Sequence, residues 1–145
     1  MTEIIYFDTS ALAKWYLNGR RSDEVEAYIQ EHGPVQISDL TVVEMRTLLS
    51  RLRREKTIDP GTESKIFATF QEDIRQKFLK CHPLPSEIAS AAVNLISVLS
   101  DVPLRTLDAM HLVIAKEISA DILATADKIM AAAAKAMGFS LMRFD

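Results

Sequence analysis

A chain of 145 residues with 48% hydrophobic and 26% charged residues can bury roughly two thirds of its unfolded surface, which excludes a disordered chain and points to one domain over 1–145. The formal net charge of −3 does not advertise nucleic-acid binding, but acids gathered at one metal site would account for it, so bulk charge excludes little. Cys81 is the single cysteine, the N-terminus (MTEIIYFD) has no basic n-region, and no apolar run approaches the ~18 residues of a membrane span; a cytoplasmic protein without membrane contact is expected.

Glu3–Phe7 (EIIYF) is an apolar run of strand character that ends in Asp8–Thr9–Ser10. A first helix follows to Asn18, with Asp8 or Thr9 as its cap and Leu12, Trp15 and Tyr16 at helical spacing. A charged helix spans Ser22 to Glu31, and His32–Gly33–Pro34 breaks it. Val35–Ser38 is the second strand. Ser38 or Asp39 caps a long helix to about Lys56, with an inward stripe of Val42, Met45, Leu49 and Leu52. Asp59–Pro60–Gly61 separates it from a helix over Thr62–Lys77 with Ile66, Phe70 and Ile74 on one face. Phe78–Leu84 is a weak strand. Ser86–Leu99, capped by Ser86, and Leu104–Ile118, with a stripe of Leu107, Met110, Ile114 and Ile118, are helices. Ile122–Thr125 is a buried strand, the Ala-rich run to Met137 a helix closed by Gly138, and Ser140–Phe144 a last strand. This alternation predicts an α/β fold, a three-layer α/β/α sandwich with a mostly parallel sheet.

Four acids fit a plain core poorly. Asp8 follows the first strand, and Asp127 follows the strand that ends at Thr125. Ligands of open α/β sheets bind outside the carboxyl ends of strands, so neighbouring strands would bring the two together. Glu44 shares a helix line with Leu40 and Leu48, and Asp108 opens a helix in LDAMHL. Each has a bland alternative. Asp8 and Asp127 can be helix-start acids, with Thr125 as the cap of the last helix. Glu44 can sit at a stripe edge, and Asp108 can serve the helix dipole. His111 is either a ligand or base, or a packed histidine. Jointly, four carboxylates at one sheet end repel each other, and a hard divalent cation, Mg²⁺ or Mn²⁺, is the natural counter-charge. No Cys/His cluster suggests zinc, and no glycine-rich loop suggests a nucleotide cradle.

DTSAL at Asp8, VVEMRTLL at Glu44, LDAMHLVIA at Asp108 and LATADKIMAAAAKAMGF at Asp127, in this order and over the whole chain, resemble a PIN domain, and within that superfamily the short VapC-type toxins of VapBC toxin–antitoxin pairs. The resemblance implies a metal-dependent endoribonuclease toxin using Mg²⁺ or Mn²⁺. Its acids fall on Asp8, Glu44, Asp108 and Asp127, as metal ligands and catalytic residues, with Ser10 and Thr125 as the hydroxyls beside them. It also implies an RNA substrate, a cognate antitoxin and a homodimer, with self-association through the C-terminal helices, Ala131–Met137 included. Leu12, Trp15 and Tyr16 form the expected apolar surface for the antitoxin, and residues 57–100 match no motif of the family. Three other readings stay open: a non-catalytic RNA- or protein-binding PIN-like module, a DNA nuclease of the same fold, and a phosphoacceptor receiver domain. The last is disfavoured because Asp8 has no acidic neighbour. The basic run Arg46, Arg51, Arg53, Arg54 and Lys56 is either a solvated face or an RNA guide.

Overall fold

The strands at the middle of the chain's sheet are mostly apolar on both faces, and they pair accordingly as a sheet covered on both sides. The computed structural model describes residues 2–145. In chain order the elements are β1 (Ile5–Phe7), α1 (Thr9–Tyr16), α2 (Ser22–His32), β2 (Val35–Ser38), α3 (Asp39–Arg54), α4 (Pro60–Arg75), β3 (Leu79–His82), α5 (Ile88–Val98), α6 (Thr106–Glu117), β4 (Ile122–Thr125), α7 (Lys128–Ala136) and β5 (Ser140–Arg143). All pair in parallel, in the order β3-β2-β1-β4-β5. The sheet is therefore wholly rather than mostly parallel, and the expected three-layer architecture is present.

Alternation along the strands divides the core in two. Ile5, Phe7, Val35, Ile37 and Leu79 face Leu12, Val25, Ile29, Met45 and Phe70 of α1 to α4. Tyr6 and Leu123 face the other way, onto Ile88, Leu112, Ile114, Met130 and Ala134 of α5, α6 and α7. The chain moves from β1 to β2 and β3 on one side, then crosses to β4 and β5 on the other. The switch point thus lies between β1 and β4, where Tyr6 pairs with Leu123 and Phe7 with Ala124. A crevice for ligand opens there.

Several local expectations change. The α6 stripe is rotated: Leu107 is 42% exposed, while Ala109, His111, Leu112, Ile114 and Ala115 are buried. The reason is that α6 packs between the sheet and α5, which turns the face carrying His111, Leu112, Ile114 and Ala115 inward and leaves Leu107 on the outer side. Helix α4 begins two residues early, at Pro60, because Asp59 caps it by accepting from the Thr62 N–H at 2.7 Å. Ser86 caps nothing, since α5 starts at Ile88 after Glu87. Helix α7 turns Ala131, Ala133 and Ala134 into the core, and Ala132, Lys135 and Ala136 stay exposed with Met137 half-buried. Further exposed apolar residues sit on α5, at Val93, Ile96 and Val98.

The basic run of α3 is largely committed to structure. Glu63 of α4 is only 9% exposed. It accepts from Arg46, and its Oε1 lies 2.8 Å from the Nε of Arg53. The Arg46 guanidinium also lies 4.8 Å over the Phe67 ring. Arg46 and Arg53 thus form an α3–α4 clasp through Glu63. Among the described residues no helix is long and apolar enough to cross a membrane.

Glu63→Ala removes the acceptor for both arginines. It should destabilise the fold by about 1.5–3 kcal/mol, the range for hydrogen bonds to charged groups, measured by urea denaturation.

Candidate active site

β1 ends at Phe7, and the next residue is Asp8, 2% exposed. Its Oδ1 accepts from Ser10 Oγ at 2.7 Å and from the Ala11 N–H at 3.0 Å, so it caps α1. Its Oδ2 accepts from Thr125 Oγ1 at 2.5 Å, across the β1–β4 junction. Burial pushes the Asp8 pKa up, against the pull of these donors. Both readings of Asp8 hold at once: it is the cap, and it sits at the switch point. Ser10 ties the junction further, lying 3.3 Å from Thr125 Oγ1 and accepting from the Ala126 N–H at 2.9 Å.

Glu44 enters from α3. Thr9 Oγ1 donates to its Oε1 at 2.7 Å, and His111 Nε2 bonds the same oxygen. His111 is 2% exposed, and its Nδ1 lies 2.7 Å from the Tyr6 hydroxyl, which lies 2.9 Å from Ser38 Oγ. An ionised Glu44 requires the proton on Nε2, and the Tyr6 hydroxyl links Nδ1 of the same ring to Ser38. Burial raises the Tyr6 pKa, so it stays a neutral phenol. Burial alone would raise the Glu44 pKa too, but the His111 and Thr9 bonds outweigh it and hold the carboxyl below its ordinary value. His111 is therefore a packed histidine that orients a site acid. Tyr6 was not singled out in the sequence, and Thr9 only as a possible helix cap. A tyrosine inside a buried strand was the available signal, since its hydroxyl needs a partner.

Asp108 and Asp127 face each other. Asp127, not Thr125, is the N-cap of α7, accepting from the Ile129 N–H at 2.8 Å and the Met130 N–H at 3.5 Å. Thr125 Oγ1 accepts from the Asp127 N–H at 3.0 Å instead. Asp108 lies in the first turn of α6. Burial, and then the Asp127 charge, push the Asp108 pKa up, although Arg105 pulls it down. The Arg105 guanidinium reaches both, 3.5 Å from Asp108 Oδ2 and 3.3 Å from Asp127 Oδ2.

All four acids line one cleft of about 590 Å³, together with Thr9, Ser10, Leu40, Leu48, Arg51, Arg105 and His111. Thr125 lies just beneath it, held to Asp8. A larger groove of about 850 Å³ between α5, α6 and the end of α7 contains none of the expected site residues. On α1 the expected apolar surface is smaller than anticipated. Leu12 is wholly buried and belongs to the core, because α1 packs flat on the sheet. Trp15 and Tyr16 are half-buried against that core, and the Tyr16 hydroxyl donates to Asp73 at 2.6 Å.

The sequence model of the PIN domain matches residues 5–136. The chain belongs to the PIN domain family. No curated protein matches it. Among solved structures, this PIN domain resembles the Mycobacterium tuberculosis VapC20, a sarcin-ricin loop cleaving toxin, with a TM-score of 0.69 at 16% identity over 93% of this chain and 95% of that one. It resembles the DNA-bound VapBC of Salmonella typhimurium (TM-score 0.69, 14% identity, 100% of each chain). FitAcB from Neisseria gonorrhoeae is similar as well (TM-score 0.68, 18% identity, 96% of each chain). At these identities the likeness is one of fold.

The family implies a divalent metal. The donor chemistry of the PIN cleft fits one: carboxylate oxygens, with no thiolate and with the only histidine turned onto Glu44. The spacing is looser. Among the described residues no three acidic, histidine or cysteine side chains gather closely enough to hold an ion as they stand, and Arg105 already offsets two of the acids.

Because the folded-state pKa of Asp108 is raised, its deprotonation opposes folding. The contribution of Asp108 to stability should fall as pH rises from the ordinary Asp range through its raised value, and Asp108→Asn should escape that loss. In metal-free buffer the variant should melt with wild type at pH 3 and above it at pH 7, with the gap opening between, as followed by thermal melts across pH.

Proposed function

We propose that this PIN domain is a metal-dependent endoribonuclease toxin, working in the cytoplasm and silenced by a cognate antitoxin. The observation that carries the reading is the convergence of Asp8, Glu44, Asp108 and Asp127 on one cleft at the switch point. In this reading the four carboxylates would hold Mg²⁺ or Mn²⁺, and the ion would lower the pKa of a water and offset charge on a phosphodiester. The protein's own part is preorganisation. Ser10, Thr125 and the Ala11 N–H fix the Asp8 carboxylate. Thr9 and the Ser38–Tyr6–His111 chain fix Glu44. Ala13, Leu40 and Leu48 give the cleft an apolar wall, which strengthens electrostatic contacts inside it. Ser10 stands on the solvent side of the cleft with its one hydroxyl proton given to Asp8.

Asp8→Asn keeps the shape of the side chain and removes its charge. It should lose most cleavage of a single-stranded RNA panel in Mg²⁺ while remaining folded, and EDTA should abolish wild-type cleavage. RNA bound but left intact by wild type in Mg²⁺ and Mn²⁺ would support a non-catalytic module, and cleavage confined to DNA would support a DNA nuclease.

The antitoxin and a second copy of the chain are the proposed protein partners. With Leu12 in the core, Trp15 and Tyr16 are what α1 presents to the antitoxin, beside Lys14, Arg20 and Arg21. Self-association would draw on the exposed valines and isoleucine of α5. Trp15→Ala should weaken antitoxin binding by about 2 kcal/mol, as truncation of an interface anchor does, with cleavage retained. Calorimetric titration with the antitoxin checks it, and wild-type affinity would make Trp15 a packing residue only.

A further inference from the structure

The cleft that gathers four acids repels a polyanion, so an RNA strand needs cations at its mouth. Two arginines line it, Arg51 and Arg105. Arg51 stands on α3 seven residues beyond Glu44, two helical turns along the same face. Leu40, Val43, Thr47 and Leu48 of that face line the cleft too. Its neighbours are committed elsewhere, Arg46 and Arg53 to Glu63 and Arg54 to Ser50. The acid beside Arg51 is Glu55 at 3.8 Å, with both side chains more than half exposed, a contact of little strength.

Arg105 approaches from the start of α6. Its side chain is 73% exposed, and its contacts to Asp108 and Asp127 are long, 3.5 and 3.3 Å. Well-formed charge-assisted bonds measure about 2.7–2.9 Å. The guanidinium is thus poised between the acids and the solvent. A phosphate offers it a paired, forked acceptor that neither single oxygen provides. Val43 and Leu107, 64% and 42% exposed, line the same mouth and offer apolar contact to a base. A cleft of about 590 Å³ is of small-molecule size, which suits a narrow strand.

We propose that Arg51 and Arg105 are a two-point phosphate clamp that seats a single RNA strand across the acids, a role that rests on the ribonuclease reading above. Arg105 exchanges its loose carboxylate contacts for a substrate phosphate as the strand enters, and Arg51 holds a phosphate two turns of α3 away from Glu44. The test uses the full chain, a fluorescein-labelled single-stranded RNA, and the variants Arg51→Gln, Arg105→Gln, Arg105→Lys, the double Gln variant, and Arg54→Gln as a control. Binding is read by anisotropy in Ca²⁺ across a salt series, and cleavage in Mg²⁺. Each Gln change should raise KM by about tenfold, Arg51→Gln with kcat little changed, and should lower the slope of log affinity against log salt by about 0.7. The double variant should lose both contributions. Arg105→Lys should restore the slope but not the full KM, because an ammonium has charge without the fork. Arg54→Gln should match wild type. If wild type cleaves RNA and both Gln variants keep its KM and slope, the clamp is overturned. A fall in kcat alone for Arg105→Gln would also overturn it, and would assign Arg105 to the acids. Wild type that neither binds nor cleaves any RNA would instead remove the ribonuclease reading, and the clamp with it.

Discussion

Parallel pairing of β1 with β4 places a carboxylate in a position that burial alone would forbid. Asp8 follows a strand whose neighbour ends in Thr125, and the register sets the two side by side. An ionised group so deeply buried is tolerated only when its oxygens find donors. Thr125, Ser10 and the first turn of α1 supply them. The helix cap and the site acid are therefore one residue, and the start of α1, the end of β4 and the floor of the cleft form a single hydrogen-bonded unit. Disturbing the pairing would expose the acid and unmake the site together.

Charge in the cleft is arranged rather than merely accumulated. Glu44 is held ionised by a buried histidine whose other nitrogen is fixed by Tyr6, so a core residue of β1 orients an acid on α3. Asp108 and Asp127 repel each other and share one exposed arginine. The acids thus differ in protonation tendency, although all four are carboxylates. On α3, the buried Glu63 draws Arg46 and Arg53 away from the cleft and leaves Arg51 beside it. A helix that reads as a uniform basic run is in fact divided by a single acid of the next helix.

The elements and their order were legible in the sequence because apolar period and capping residues are local. So were Asp8, Glu44, Asp108 and Asp127 as candidates, since carboxylates beside apolar strand ends or helix stripes are conspicuous one at a time. What each acid touches was not legible. Asp127 rather than Thr125 caps α7, because the Thr125 hydroxyl is turned to Asp8 through the β1–β4 pairing, 117 positions apart in sequence. Leu12 reads as one of several apolar residues on a short helix, and only its seat on the sheet makes it core. Leu107 left its expected inward place, and His111 took the packed one of its two readings, because the face of α6 that points inward is chosen by α5 and the sheet, not by the period of α6 itself.

By itself, then, the sequence determined the alternation of strands and helices, hence a parallel sheet, and the carboxylates at its helix starts. Those follow from interactions within a few residues. Strand order, the convergence of four acids on one cleft, the Tyr6–His111–Glu44 chain and the division of the arginines were decided only by the tertiary structure. Each depends on contacts between residues tens of positions apart, and the periodicity of any one segment is the same whichever neighbour it meets.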